Sequence, residues 1–521
     1  MELVCRGTVI RKNEYHDSVF LMRVARRISD QEGVLQAALF MGTEKNKGLL
    51  TEIGFPAEEL AIATPSDLIL AVMARNQQSL AGVLENLDSW LRAEPAQGNS
   101  PVVRDLSEAL TRQPLANLAV ISVPGVYAAR EAEKALERGL NVFLFSDNVP
   151  VERERFLKQY AREHGLMVMG PDCGTAIIGG IGIGFANVVR RGPIGVIGAS
   201  GTGIQEFTTL VHQAGSGISQ AIGTGSRDLS DDVGGISMLS ALDALEADSS
   251  TKTIAILSKP PGPLALASLI PRILQCPKTV VVCFLGWKKD AATINGSYRL
   301  AHTLDEAAAL AVQDVTGNLP TDFKPNDSRF EALVSQERMA MNPLQKYIRG
   351  LFAGGTFCYQ AQQVFMDEGL VTYSNAPIAG NHKLADPLMS KEHSLVDMGA
   401  DEFTVGRPHP MMDSRLRRER LLVESKDPEV AVLLLDFLLG FNSSADPVGE
   451  LAPAIAEAKR EVNKRGGFLS VVASVCGTSE DPQGLDQQVA RLEEEGVVIL
   501  PSSAQAARFS ALLAVHARGG V

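Results

Sequence analysis

Apolar residues along this chain gather mostly in short runs, separated by stretches where they recur every third or fourth position. A short apolar run bounded by turn formers predicts a strand buried on both faces, and a three-to-four period predicts a helix lying on it. The first stretch reads as strands Val4–Arg11, Val34–Phe40 and Leu68–Met73. A helix runs from about Asp17, with Val19, Leu21, Met22, Val24 and Ala25 on one face, and another covers Ser79–Leu91. Turn formers then cluster from Ala93 to Pro101, which reads as a linker. From Leu118 the units lengthen: strands Leu118–Val123, Asn141–Phe145, Leu166–Met169, Ile194–Ile197, Ile254–Ser258 and Thr279–Leu285 alternate with helices such as Val126–Arg138 and Val151–Glu163. A polar, proline-containing stretch from Gly317 to Ser328 marks a second boundary, and the alternation resumes after Met341. This pattern predicts an α/β protein of parallel, doubly wound sheets. The boundaries suggest a small N-terminal α/β domain over 1–92 and three further domains over 117–190, 191–315 and 343–521.

The later part of the chain echoes itself. Gly195–Gly203 leads into a helix that stops at Gly215, and Gly350–Phe357 leads into one that stops at Gly369. Gly201-Thr202 and Gly355-Thr356 each stand 14 residues before the stopping glycine. Two similar α/β domains facing each other follow from that repeat. Each start, Ser200-Gly201-Thr202-Gly203 and Gly354-Gly355-Thr356, offers small residues and unsatisfied N–H groups to an anion. The plain alternative is a tight turn with Thr202 or Thr356 as a helix cap.

Neither loop is a Walker P-loop, since no lysine follows the glycines. Gly180–Gly184 looks like a dinucleotide fingerprint but lacks the strand–turn–helix setting, and reads as a loop. Gly170-Pro171-Asp172-Cys173 follows a strand, and Asp147-Asn148 ends the one before. The two turns are expected to line one crevice at the carboxyl edge of the sheet, unless they are simply a turn and a buried thiol. The segment Asp397–Asp413 holds Arg407 and His409 among acids and stiffening prolines, and Gly223–Asp228 holds Arg227 at the equivalent place. Both arginines suit carboxylate or phosphate recognition; a surface loop is the bland reading.

Charge and cysteine content narrow the field. The 521 residues carry 49 Lys+Arg against 61 Asp+Glu, a formal charge of −12, which argues against a general nucleic-acid binder. Six cysteines without a CxxC pair, and eight histidines without metal spacing, indicate neither a zinc site nor a disulfide framework. The start of the chain lacks an apolar targeting core, and the Val430–Phe441 run is too short for a membrane span. A cytoplasmic protein without membrane or nucleic-acid partners is expected.

These residues carry a family likeness. From about Asn117 to Val315 the chain resembles the alpha subunit of succinyl-CoA synthetase. Gly170-Pro171-Asp172-Cys173 resembles that family's Gly-Pro-Asn-Cys turn near coenzyme A, and Ser200-Gly201-Thr202 through Glu206 its phosphate-holding helix start. Residues 345–515 are similar to the C-terminal domain of the beta subunit. Over nearly the whole length, Phe145–Val149, Gly198–Gly203, Arg227–Ser230 and Gly406–Pro410 identify the chain as a member of the FdrA family. The resemblance implies a partial Rossmann-like CoA-binding domain over 117–190 and two flavodoxin-like synthetase domains after it, with no metal. It assigns Asp147, Asn148, Pro171, Asp172 and Cys173 to a CoA-like site. It gives Ser200, Gly201, Thr202, Gly203, Gly354, Gly355, Thr356, Arg227 and Arg407 to an anion site, with Glu206 and His409 as candidate catalytic groups.

Three departures limit what it implies. The family's phosphorylated histidine has no counterpart between Lys288 and Leu300, and His302 falls later. No ATP-grasp module is present, and the Gly-rich pyrophosphate loop of the CoA domain is replaced by an unlike N-terminal segment. The expectation is a component of acyl or carbamoyl transfer that acts on a small anionic acyl, carbamoyl or carboxylate substrate beside a separate subunit. The alternatives are an acid–CoA ligase completed by an ATP-grasp partner, or a non-catalytic anion or CoA binder.

Overall fold

Leu68–Ala74 is apolar at every position, so this strand needs cover on both faces. The computed structural model, which describes residues 5–16, 18–52, 54–92, 103, 105–287, 298–320, 328–404 and 407–515, provides it. The chain forms two units, residues 1–114 with 404–408, and residues 115–403 with 409–521. The first contains β1 (Cys5–Arg11), α1 (Ser18–Ser29), β2 (Val34–Met41), α2 (Glu44–Glu52), α3 (Ala57–Leu60), β3 (Leu68–Ala74), α4 (Gln77–Glu85), α5 (Leu87–Leu91) and α6 (Leu106–Arg112). Its antiparallel sheet has the order β1-β3-β2. Leu21, Val24, Ile28, Leu80, Val83 and Leu87 form one core with it; Leu50, Phe55 and Leu60 form another. Asp17 and the 93–101 linker fall outside the described residues.

The second unit opens with β4 (Leu118–Ile121), α7 (Gly125–Leu136), β5 (Asn141–Leu144), α8 (Val151–Glu163) and β6 (Val168–Met169), a three-stranded parallel sheet. Next come β7 (Thr175–Ile178) and β8 (Ile181–Gly184), an antiparallel hairpin. This corrects the loop expected at Gly180–Gly184. Gly179 and Gly180 have φ +61° and +86°, so they form the two-residue turn that joins paired strands.

Two larger sheets follow. The first adds β9 (Arg191–Gly198), α9 (Gly201–Gln213), β10 (Ile218–Gly223), α10 (Ile236–Ala247), β11 (Thr253–Ser258), α11 (Pro263–Gln275), β12 (Thr279–Phe284), β13 (Tyr298–Ala301) and α12 (Leu304–Thr316). After α13 (Ser328–Ala340), the second holds β14 (Tyr347–Phe352), α14 (Gly355–Asp367), β15 (Tyr373–Ser374), β16 (His382–Lys383), β17 (Ser394–Asp397), α15 (Asp401–Thr404) and α16 (Arg415–Glu424). It ends with β18 (Val430–Leu438), α17 (Pro447–Lys464), β19 (Ser470–Cys476), α18 (Leu485–Glu494), β20 (Val498–Leu500) and α19 (Ser503–Val515). The five-strand parallel run β10-β9-β11-β12-β13 of the first sheet matches β17-β14-β18-β19-β20 of the second, which is parallel throughout and adds the two-residue strands β15 and β16 beyond β17. Numbered from β9 and from β14, both read 2-1-3-4-5, with the order reversing beside the first strand, where such sheets bind ligands.

The repeated glycine spacing corresponds to α9 and α14. Each ends at a left-handed glycine, Gly215 at φ +83° and Gly369 at φ +78°. Ser216 N–H reaches back to Val211 O, and Leu370 N–H to Phe365 O. From Gly203 to His212 every residue of α9 is buried, which a surface helix would not show. The reason is a shared layer: α9 packs on α12, α14 packs on α19, and α9 meets α14. Phe207, Leu210, Ala307, Ala311, Phe357, Phe365, Phe509 and Leu513 lie in one continuous core between the two sheets.

Within that layer the helices cap one another. Glu206 stands five residues beyond Gly201, and Gln360 five beyond Gly355. Glu206 Oε1 accepts from Ser503 N–H at 2.6 Å and Oε2 from Ser503 Oγ at 2.7 Å, at the start of α19. Gln360 Oε1 accepts from Leu304 N–H at 2.9 Å, at the start of α12, while its Nε2 donates to Ser503 Oγ at 2.7 Å. Ser502 Oγ donates to Asp305 at 2.8 Å. Each repeated helix thus satisfies an orphan amide on the last helix of the other repeat.

Phe207 is fully buried, so Phe207→Ala is expected to cost about 3–5 kcal/mol in urea unfolding. Hydrogen exchange should show lost protection in α19 as well as α9; a loss confined to 191–315 would contradict a shared core. Burial pushes the Glu206 carboxyl up from 4.5 to about 7, against the pull of its Ser503 bonds. A carboxyl raised on folding is most favourable below its unfolded value and loses that contribution as pH rises through 7. The melting temperature of Glu206→Gln relative to the parent should therefore climb between pH 5 and pH 8, whereas Glu206→Ala should be destabilised throughout. A pH-independent difference for the Gln variant would show that Glu206 does not titrate in this range.

Candidate functional site

The two helix starts meet. Ser200, in extended conformation, caps α9 by accepting from Gly203 N–H at 2.9 Å. Its Oγ also lies 2.5 Å from Thr356 Oγ1 in the first turn of α14. A side chain at 203 would stand 2.8 Å from Ser200 Oγ and 3.5 Å from Thr356, so glycine is what permits this approach. Gly354, the cap of α14, has no side chain to offer. Asp436 from β18 replaces it, accepting from Ala353 N–H at 2.8 Å and Gly354 N–H at 2.7 Å. The N–H groups of Gly201, Thr202, Gly355 and Thr356 have no acceptor within their helices, as first-turn amides do not. Ser200, Gly201, Thr202 and Gly355 reach solvent, while Gly203, Gly354 and Thr356 are buried.

Residues around the α14 start set its charge. Arg417, 3% exposed, donates through Nη2 to Asp436 Oδ1 at 2.8 Å and to Leu351 O at 2.9 Å, and its Nε has no partner. Asp397 accepts from Gly399 N–H at 2.9 Å, and its Oδ2 would stand 2.6 Å from a side chain placed at Gly355. Burial pushes Asp397 up to about 6, with Lys259 opposing. His409 is half-buried, its ring 6.4 Å from Phe185. Burial, aided by Arg417, lowers it to about 4, which keeps the ring neutral. Nδ1 accepts from Met411 N–H at 3.2 Å, which assigns the ring proton to Nε2. Lys259, directly after β11, holds Nζ 5.5 Å from the Tyr359 ring centre on α14. Sequence reasoning missed Lys259, Asp436, Arg417 and Gln360. The signal for the first two was their place at the ends of β11 and β18, the third strands of the two sheets.

The anion-site glycines and hydroxyls therefore come together, but other expected residues are employed elsewhere. Both oxygens of Glu206 are occupied by Ser503, so it positions α19 rather than facing the gap. Arg227 donates to Val149 O at 2.6 Å and pairs with Glu154 at 2.8 Å, tying two loops together rather than standing free for an anion. Arg407 is exposed and belongs to the 404–408 piece of the first unit. Gly406, beside it, falls outside the described residues, as do positions 288–297 of the stretch that lacks the family's histidine.

Asp147, Asn148, Pro171 and Asp172 do gather at the carboxyl edge of the three-stranded sheet. Asp172 N–H donates to Ser146 O at 2.9 Å, and Asp172 Oδ2 accepts from Ser226 Oγ at 2.6 Å. Asn148 and Asp172 both take left-handed φ, +55° and +56°. Cys173 is 2% exposed and donates to Thr175 O, and burial pushes its thiol up to about 12, which makes it a packing residue. For coenzyme A, this edge fits the thiol arm better than the nucleotide. Gly174 has open space where a side chain would project, and it lies within 3.8 Å of a side chain placed at Gly201. The same edge presents Asp147 and Asp172 to a diphosphate, and its cation, Arg227, is already paired with Glu154.

Comparison with known proteins gives the setting. Residues 351–513 match the CoA-ligase family, 189–270 the CoA binding domain, and 4–104 the AllF heavy metal-associated domain. Cys5 is the sole cysteine of that last stretch, and no group of three metal-ligating side chains occurs among the described residues. No described helix is long and apolar enough to cross a membrane. The alpha subunit of succinate–CoA ligase (ADP-forming) from Methanothermobacter thermautotrophicus is 28% identical over 155 residues, 29% of this chain and 52% of that subunit. PH0766 from Pyrococcus horikoshii gives a TM-score of 0.32 at 16% identity, covering 76% of this chain and 83% of that one, a likeness too distant to support an argument. The uncharacterized protein YahF of Escherichia coli is 43% identical over 497 residues, 95% of this chain and 96% of YahF. Residues 189–270 and 351–513 thus carry domains of CoA-ligase type, and the chain belongs to the family of YahF.

Proposed function

We propose that this chain is an FdrA-type component of acyl or carbamoyl transfer, and that a small anionic acyl, carbamoyl or carboxylate substrate lies at the paired starts of α9 and α14. The observation that carries this reading is the contact between Ser200 and Thr356, which gathers four uncommitted amides and two hydroxyls from both repeats. Amides fixed in this way stabilise charge that develops on a carbonyl or phosphoryl oxygen, without reorganising during reaction. His409, neutral and with its proton on Nε2, serves as a further N–H donor rather than as a phosphate acceptor. Asp397 is raised far enough to exchange a proton near neutral pH. Coenzyme A, when bound, supplies the thiol that receives an acyl group, and the glycine backbone at Gly174 and Gly201 would lie along its arm.

A second reading, an acid–CoA ligase completed by a separate ATP-grasp subunit, is favoured by the match of 351–513 to the CoA-ligase family. It predicts acid-dependent ADP or AMP formation and a CoA thioester once the partner is added. The transfer reading predicts product that depends on carbamoyl phosphate. Thr356→Val, which removes only the hydroxyl, should lower that rate about tenfold to a hundredfold. Gly355→Ala, which sets a methyl 2.6 Å from Asp397, should nearly abolish it. The rate is read as product formation by variants whose melting curves match the parent. Absence of carbamoyl-phosphate-dependent product from the parent, with partner subunits present, sinks the transfer reading.

A further inference from the structure

An anionic ligand in a chain of formal charge −12 needs a positive group close by, and the α14 start already holds two carboxylates, Asp436 and Asp397. Most cations of the region are committed. Arg227 pairs with Glu154, Arg415 with Asp413 at 2.6 Å, and Arg417 with Asp436, buried beneath the helix start. Lys259 differs from all of these. It is exposed, it makes no hydrogen bond or ion pair among the described residues, and it follows β11, which lies beside β9 where the first sheet reverses its order. Pro260 and Pro261 come directly after it and restrict the backbone that carries it. Its ammonium is held over the Tyr359 ring, one turn into α14, so a side chain from the first repeat stands at the helix start of the second. Lys259 also acts on Asp397 through its charge, but no hydrogen bond joins the two among the described residues, so its N–H donors stay available to a ligand.

We propose that Lys259 binds the anionic group, phosphate or carboxylate, of the ligand at the α14 start, acting across the two repeats. The inference rests on the function proposed above and names the residue that would make an anion favourable against the field of Asp397 and Asp436. It also explains the position: a point charge on a flexible stem can follow a ligand between repeats, where a guanidinium fork would fix one geometry.

The test is calorimetric titration of inorganic phosphate, and separately acetate, into the full chain and into three variants. Lys259→Met should weaken binding about tenfold or more, the loss of one charge-assisted hydrogen bond, with no change in melting temperature without ligand. Lys259→Cys in a Cys5→Ser background, aminoethylated to restore an ammonium, should recover it, since the other cysteines are buried. Phosphate-only or acetate-only binding that depends on Lys259 supports the proposal and tells the two ligand classes apart. Undiminished binding by Lys259→Met, while Thr356→Val loses it, overturns the role of Lys259 and leaves the anion site standing. A parent chain that binds neither anion overturns the site itself.

Discussion

Two helix starts each carry partial positive charge, so bringing them into contact is unfavourable unless negative groups lie between or behind them. That constraint organises the centre of this molecule. At α14 the compensation is internal, because Asp436 occupies the Ala353 and Gly354 amides and Asp397 stands beside Gly355. At α9 no carboxylate bonds the first-turn amides among the described residues, and the cap is the neutral hydroxyl of Ser200. The arrangement is lopsided: one start is already neutralised, and the other is satisfied only in part.

Holding the two starts together is the work of the layer behind them. One core runs through α9, α12, α14 and α19. Apolar packing alone would tolerate small slips of one repeat against the other, since it is not directional. The reciprocal caps remove that freedom. Ser503 and Leu304 can satisfy their amides only if Glu206 and Gln360 arrive in register. Further bonds across the repeats, such as Asn187 to Asp481 at 2.7 Å and Gln213 to Gly477 O at 2.9 Å, repeat the constraint along the seam. Geometry at the site therefore depends on residues that never touch it.

Much of this was legible in the sequence, and the rest was hidden for physical reasons. The apolar runs located β9, β11 and β12 of the first sheet, because parallel strands buried on two faces leave that trace. The glycine spacing located both helices, because a left-handed stop and a small-residue start are each demanded locally. Glu206 was visible as the acid of the Ser-Gly-Thr…Glu segment in the resemblance, but its partner, Ser503, is 297 residues away and no local pattern announces it. Arg227 looked free because sequence shows neither the carbonyl of Val149 nor the buried Glu154 that claim it. The hairpin at Gly179-Gly180 was present as two turn glycines between alternating residues, and weighing the glycines only as a nucleotide fingerprint concealed it. Lys259 had no motif; its meaning comes from strand order.

The contrast between Glu206 and Gln360 shows why a carboxylate persists at a place where burying one is costly. Both positions cap a helix, and an amide performs that task at 360. The difference lies in Ser503. Its hydroxyl accepts from Gln360 Nε2 at 2.7 Å and so must donate its own proton onward, and Glu206 Oε2 at 2.7 Å is the acceptor. An amide at 206 could accept the Ser503 N–H but would present a second donor to the hydroxyl, leaving its proton without a partner in a buried place. The bonds thus run in one direction, from amide to hydroxyl to carboxylate, and each polarises the next. Directionality, rather than chemistry at the helix starts, is what the acidic residue supplies here.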